Sequence, residues 1–167
     1  WRGIEAETIS FELNDTIDFS GLDIVLLGGG SDREQMLVCE KLRELQGAFK
    51  AYVENNGVVI AICGGYQLFG QYYISADNEK IEGLKFFDYY TATGSNGTRC
   101  IGNIAIHCNL DGYELTAVGF ENHGGQTCNV TAPLGSVISG YGNSFDGGQE
   151  GFYNGSVLGT YMHGPLF

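Results

Sequence analysis

The stretch VVIAICGGYQLFG, residues 58–70, runs five apolar residues into a cysteine, two glycines and an apolar segment of helical character. An apolar run of this length, closed by glycine, reads as a buried strand. A thiol where a strand gives way to a helix fits the nucleophile elbow. That turn lifts its central side chain above the sheet and is tight enough to demand small neighbours. Ala61, Gly64 and Gly65 supply them around Cys63. On this reading Cys63 is the nucleophile and the Gly64 amide faces an oxyanion. The following helix, expected near Gly65 to Gly70, points its N-terminus at the sulfur and favours thiolate over thiol. The plainer alternative is a small hydrophobe at a strand end. The flanking glycines argue against it.

Upstream, LDIVLLGGG (22–30) is a second apolar run, closed by three glycines. It predicts another buried strand ending in a backbone-rich loop. Ser31 and Glu34 then form a capping box. Val38, Leu42, Leu45, Phe49 and Tyr52 recur at steps of three and four, the face of one amphipathic helix ending near NNG (55–57). Strand, helix, strand at this spacing is a βαβ unit, so a mostly parallel sheet flanked by helices is expected. The second half holds short β-rich runs, RCIGNIAIHC, ELTAVGFEN, SVISGYGN and GSVLGTYMHG. They predict strands and long loops added at one side of the sheet. Residues 1–167 are expected to form a single α/β domain.

Composition narrows the function. The 167 residues are 43% hydrophobic and 17% charged, with a formal net charge of −12. That is globular, lacks the basic footprint of a nucleic-acid binder, and suits a partner with a basic docking surface. No apolar run is long enough to span a bilayer, and no signal segment opens the chain. A cytoplasmic setting is expected. Cys39, Cys63, Cys100, Cys108 and Cys128 are odd in number and contain no CxxC pair, so neither a disulfide framework nor a zinc ribbon is indicated. The opening WRGIEAETISFEL lacks an initiator Met and the close TYMHGPLF stops just after a strand. Further residues are expected at both ends.

A cysteine nucleophile usually works with a histidine base. His107, in NIAIHC, reads as a strand-end residue. His123, in GFENHGGQT, lies in a Gly-rich segment bordering the site. His163, in LGTYMHGPLF, ends a strand before a glycine, as Cys63 does. Strand ends of an open α/β sheet meet in one crevice, so His163 is the favoured base and His123 the second choice. Gly29 and Gly30 end the strand beside that of Cys63, and their amides are candidates for the second oxyanion donor. A phosphate cradle is disfavoured: no Walker lysine follows GGGSDREQ, and G-x-G-x-x-G is absent.

AICGGYQLFG resembles the elbow of class I glutamine amidotransferases, whose pattern Cys-x-Gly-x-Gln falls on Cys63, Gly65 and Gln67. GFENHGG and TYMHGPL resemble the cobyric-acid-synthase-like branch, and within it the GatD-type subunits of lipid II isoglutaminyl synthases. LLGGGSDREQ and GTRCIGN fit the same group, so the likeness covers nearly the whole chain. The resemblance implies a flavodoxin-like fold and hydrolysis of L-glutamine to glutamate and ammonia. It implies ammonia delivery to a MurT-like Mur-ligase partner that amidates the D-glutamate of lipid II, the complex working at the inner face of the membrane. No cofactor is expected in this subunit, with ATP and Mg on the partner ligase. Arg99, in GTRCIGN, resembles the family arginine implicated in substrate binding, where a guanidinium can hold the α-carboxylate of glutamine; an interface contact or a plain surface arginine is the alternative. Gln67, one helical turn beyond the cysteine, and His123 are expected to shape the pocket or bind substrate, with Glu121 and Asn122 orienting His123. Ordinary class I domains carry a glutamate two residues after the catalytic histidine. Here that residue is Pro165, which implies a Cys63–His163 dyad. FFDYY (86–90) is a candidate docking surface, though such aromatics are more often core. The alternatives are corrinoid side-chain amidation, another cysteine hydrolase such as a peptidase, or an inactive binding module.

Overall fold

A computed structural model describes residues 3–94 and 97–164. Its centre is the strand β2 (Val58–Ile62), paired in parallel with β1 (Ile24–Leu27) on one side and β12 (Val157–Thr160) on the other. β11 (Phe152–Tyr153) closes this four-stranded sheet antiparallel to β12. The expected parallel arrangement is therefore present, with Leu26 opposite Ile60 and Gly159 opposite Ala61.

α1 (Asp32–Glu44) starts at the predicted capping box: the Glu34 amide donates to Ser31 Oγ at 3.4 Å and the Ser31 amide to Glu34 Oε2 at 2.7 Å. The single helix read from the periodicity is two. Leu45, with φ −97° and ψ 7°, interrupts it, and α2 (Gln46–Glu54) restarts beyond. The periodic residues keep one apolar role across the break. Leu42 and Phe49 are buried against Val59 and Ala61, with Val38, Leu45 and Tyr52 around them. Phe49 stacks on Phe19 with ring centroids 4.9 Å apart.

The β-rich second half forms sheets in their own right rather than decorated loops. β6 (Cys100–Leu110) and β7 (Tyr113–His123) make a long hairpin, turning through Asp111 and Gly112 at φ 53° and 91°. Positive φ at both turn residues matches the twist of the strands. Within five strands they lie between β9 (Gly135–Ser139), beside β10 (Gln149–Glu150), and β13 (Met162–His163). A further sheet contains β3 (Tyr72–Ile74), β4 (Lys80–Glu82), β5 (Tyr90–Thr93) and β8 (Gly125–Cys128). Alternation explains the hairpin's burial: Ile104, Ile106 and Cys108 point inward and, with Leu134 and Met162, form a second apolar cluster.

The last strand departs from its expected form. It does not run straight to His163. β12 stops at Thr160, and β13 joins a different sheet, with His163 opposite Phe120 of β7. The buried Glu150 carboxylate causes the break. Its Oε1 accepts the Tyr161 amide at 2.7 Å and Thr160 Oγ1 at 3.0 Å, and the Met162 amide turns onto Thr160 Oγ1 at 3.0 Å. Amides held this way leave the first ladder. Pro165 lies outside the described residues. Among the described residues no helix is long and apolar enough to cross a membrane.

Candidate active site

Cys63 sits between β2 and the short helix α3 (Gly64–Leu68) at φ 53°, ψ −109°. A non-glycine residue there carries about 1–3 kcal/mol of strain and persists only where its surroundings hold it. They do: the Cys63 amide donates to Thr160 O at 2.8 Å, and its carbonyl accepts from the Gln67 amide at 3.1 Å. The two glycines meet different neighbours. A Cβ on Gly65 would lie 2.6 Å from the Leu27 carbonyl oxygen, and one on Gly64 would lie 2.5 Å from Gln35 Nε2. The elbow read from the sequence is thus the elbow in the fold.

Its electrostatics differ from the expectation. The helix behind the cysteine is five residues long, and the sulfur is half-buried. Burial pushes the Cys63 thiol up; the Gly64 N–H, which donates to the sulfur, and the charge of Arg99 pull it down by less. Cys100 is more inert still, its thiol pushed up to about 12 by burial, then by the Glu121 charge.

The glycine loop lies on the elbow. A Cβ on Gly29 would be 3.1 Å from Cys63 Cβ and 3.6 Å from both its sulfur and the Gly64 nitrogen. Gly30 is next to Glu34 of the capping box, where a Cβ would come 3.1 Å from Oε2. Gly29 and Gly64 therefore belong to one small region of backbone beside the sulfur.

Gln67 is 4% exposed and donates through Nε2 to Tyr161 Oη at 3.2 Å. It is a buried residue one helical turn beyond Cys63. Tyr161 is fully buried and bonds Thr127 Oγ1 at 2.6 Å; burial raises its phenol, and a charge on nearby Cys63 adds to that. The His123 ring lies flat on Tyr161, with centroids 3.7 Å apart at 8°. Nδ1 of His123 donates to Gly125 O at 2.7 Å, and Nε2 is 3.6 Å from Glu121 Oε2. Burial outweighs that carboxylate and lowers the imidazole's pKa, favouring neutral His123. Glu121 is itself buried and accepts the Tyr141 and Gly142 amides at 2.8 and 2.9 Å.

Arg99 stands just before β6 and is gripped by Asn122: Oδ1 accepts from Nε at 3.1 Å and from Nη2 at 2.9 Å, and the Asn122 carbonyl accepts from Nη2 at 3.1 Å. Asn122 thus orients Arg99, while Glu121 faces His123. Nη1 passes Gly124. His163 has a buried Nε2 with no hydrogen-bond partner among the described residues, so no hydrogen bond joins that nitrogen to the Cys63 thiol. Three residues before it, Thr160 bonds the Cys63 backbone. Among the described residues no cluster of His, Cys, Asp or Glu is placed to hold a metal ion.

Three participants escaped the sequence reading. Gln35, Tyr161 and Glu150 are all buried polar side chains. Tyr161 sits two residues before His163, a place in the motif that marked it. Gln35 closes the motif LLGGGSDREQ, but its packing on Gly64 is set by the fold; Glu150 carried no local signal.

The chain is similar to two bacterial proteins named lipid II isoglutaminyl synthase (glutamine-hydrolyzing) subunit GatD. The one from Staphylococcus aureus is 40% identical over 165 residues, 99% of this chain and 66% of that protein. The one from Streptococcus pneumoniae is 43% identical over 156 residues, 92% of this chain and 59% of that protein. The chain thus spans about three fifths to two thirds of these relatives' length. In three dimensions it is similar to a structure titled PurLQS from Thermotoga maritima, with a TM-score of 0.65 at 14% identity, covering 90% of this chain and 72% of that one. The CobB/CobQ-like glutamine amidotransferase domain model matches residues 4–167. With a strained cysteine elbow at its centre and this match over almost its whole length, the chain belongs to the CobB/CobQ-like glutamine amidotransferase family.

Proposed function

We propose that this domain is a glutaminase that supplies ammonia to an ATP-using ligase; the relatives' name, lipid II isoglutaminyl synthase (glutamine-hydrolyzing) subunit GatD, supports the glutamine-hydrolysing part of the reading. The observation that carries the reading is Cys63 at its strained elbow, with the Gly64 amide on the sulfur and Gly29 alongside. Because burial raises the Cys63 thiol, attack needs a base at the moment of bond formation. His163 takes that role, since its buried Nε2 is left without a partner. It removes the thiol proton as sulfur bonds to the side-chain amide carbon of L-glutamine. The oxyanion that forms rests on the Gly64 amide and an amide of the Gly29–Gly30 loop. Collapse expels ammonia, protonated from His163, and leaves a glutamyl thioester. Water, deprotonated by His163, then releases glutamate and restores the thiol. Arg99, held by Asn122, binds the substrate α-carboxylate through its outward edge. Gln67 and His123 form the pocket wall on Tyr161.

The ammonia passes to a MurT-like ligase subunit that holds ATP and Mg and amidates the D-glutamate of lipid II. This chain needs no cofactor of its own and works in the cytoplasm, reaching the lipid through that partner. The net charge of −12 suits docking to a basic surface. The test is glutamate and ammonia release by the full-length protein, alone and with the ligase subunit. Release should be slow alone and rise on complex formation. Arg99→Ala should raise KM for glutamine about 10- to 100-fold, the loss of a charge-assisted hydrogen bond. Absence of glutamate from the complex would overturn the reading.

A further inference from the structure

We infer that Gln35 is a positioning residue for the oxyanion site, joining its two halves through one side chain; this rests on the glutaminase reading. Gln35 lies in the first turn of α1 and is 7% exposed. Its Nε2 donates to the Gly30 carbonyl at 3.1 Å. The same amide packs on Gly64, where an added Cβ would come within 2.6 Å of Cδ. Gln35 therefore touches both the glycine loop and the elbow.

The peptide between Gly30 and Ser31 is held at both ends. Its carbonyl is taken by Gln35 and its N–H by Glu34 Oε2 at 2.7 Å. A peptide so pinned resists the flip that glycine otherwise permits. Its neighbour on the N-terminal side, the Gly29–Gly30 peptide, is then fixed against Cys63 and Gly64. Donors for an oxyanion are effective when they need no reorganisation during the reaction. The capping box alone sets the N-terminus of α1. Gln35 sets that end relative to the elbow. Its Oε1 is buried with no partner among the described residues.

The experiment compares wild type, Gln35→Glu and Gln35→Met in the full-length protein with its ligase subunit. Both variants keep the volume against Gly64; the methionine removes the donor to Gly30, and the glutamate removes it wherever its carboxyl is ionised. Two rates are read: steady-state glutamine hydrolysis, and alkylation of Cys63 by iodoacetamide, resolved from the other cysteines by peptide mass spectrometry. Alkylation displaces iodide at carbon and forms no oxyanion. We expect kcat to fall about 10- to 100-fold with KM within about 3-fold, and alkylation within about 2-fold of wild type. If alkylation falls in parallel with kcat, Gln35 acts on the thiol or the elbow's integrity and the inference is overturned. Unchanged kcat also overturns it. If one variant does not fold, the other decides. Wild type that makes no glutamate fails the glutaminase reading itself, a result distinct from active wild type with equally active variants.

Discussion

The backbone amide of Cys63 donates to the carbonyl of Thr160 at 2.8 Å, so the elbow is tied to the strand that leads to His163. One hydrogen bond couples the strained turn of the proposed nucleophile to the segment carrying the proposed base. Just beyond that bond, Glu150 breaks the strand and sends Met162 and His163 to the hairpin sheet.

Cys63→Ala should abolish glutamate release with the fold intact. Cys63→Gly should be equally inactive yet more stable than the alanine variant by about 1 kcal/mol, because glycine relieves the positive φ. Thermal unfolding of both variants measures this. An alanine variant as stable as the glycine one would show that the turn is unstrained.

The raised Cys63 thiol sets the pH dependence of labelling. A group whose pKa is raised releases its proton later, so iodoacetamide labelling of Cys63 in substrate-free protein should still climb after an ordinary thiol has levelled off. A plateau already reached below neutral pH would mean a resting thiolate–imidazolium pair instead.

Glu150 should make stability fall as pH rises. Burial pushes its carboxyl from the ordinary 4.5 up to about 7. The folded state therefore resists ionisation that the unfolded chain accepts. The penalty is absent below pH 4.5, grows between 4.5 and about 7, and is complete above, reaching ~3 kcal/mol. Glu150→Gln removes the titration. Its melting temperature relative to wild type should be higher at pH 8 than at pH 5. A difference independent of pH would refute the assignment.

Two neighbouring glycines should fail differently. An alanine at Gly65 meets the Leu27 backbone, which cannot yield cheaply, and should cost about 1–3 kcal/mol of stability. An alanine at Gly64 meets the Gln35 side chain, which can swing away. That variant should melt closer to wild type while losing glutamine turnover. Comparing melting temperature with kcat separates the two, and the reverse ranking would sink the contrast.

What the sequence determined was local. A run of five apolar residues before Cys-Gly-Gly specifies strand and elbow, because only small residues fit that turn. Ser31 with Glu34 specifies the start of α1, and the steps from Val38 to Tyr52 specify its buried face. The break at Leu45 is invisible there, since the periodicity passes through it unchanged. Tertiary structure decided what depends on partners far apart in the chain. The carboxylate of Glu150 ends β12 because it captures the amide of Tyr161. Arg99 is aimed by Asn122 across the strands β6 and β7. Burial, set by the surrounding sheets, raises the Cys63 thiol although the Gly64 N–H of its local turn pulls the other way. Gln35 meets Gly64 because α1 and α3 pack side by side on one sheet, a juxtaposition no spacing in the sequence encodes.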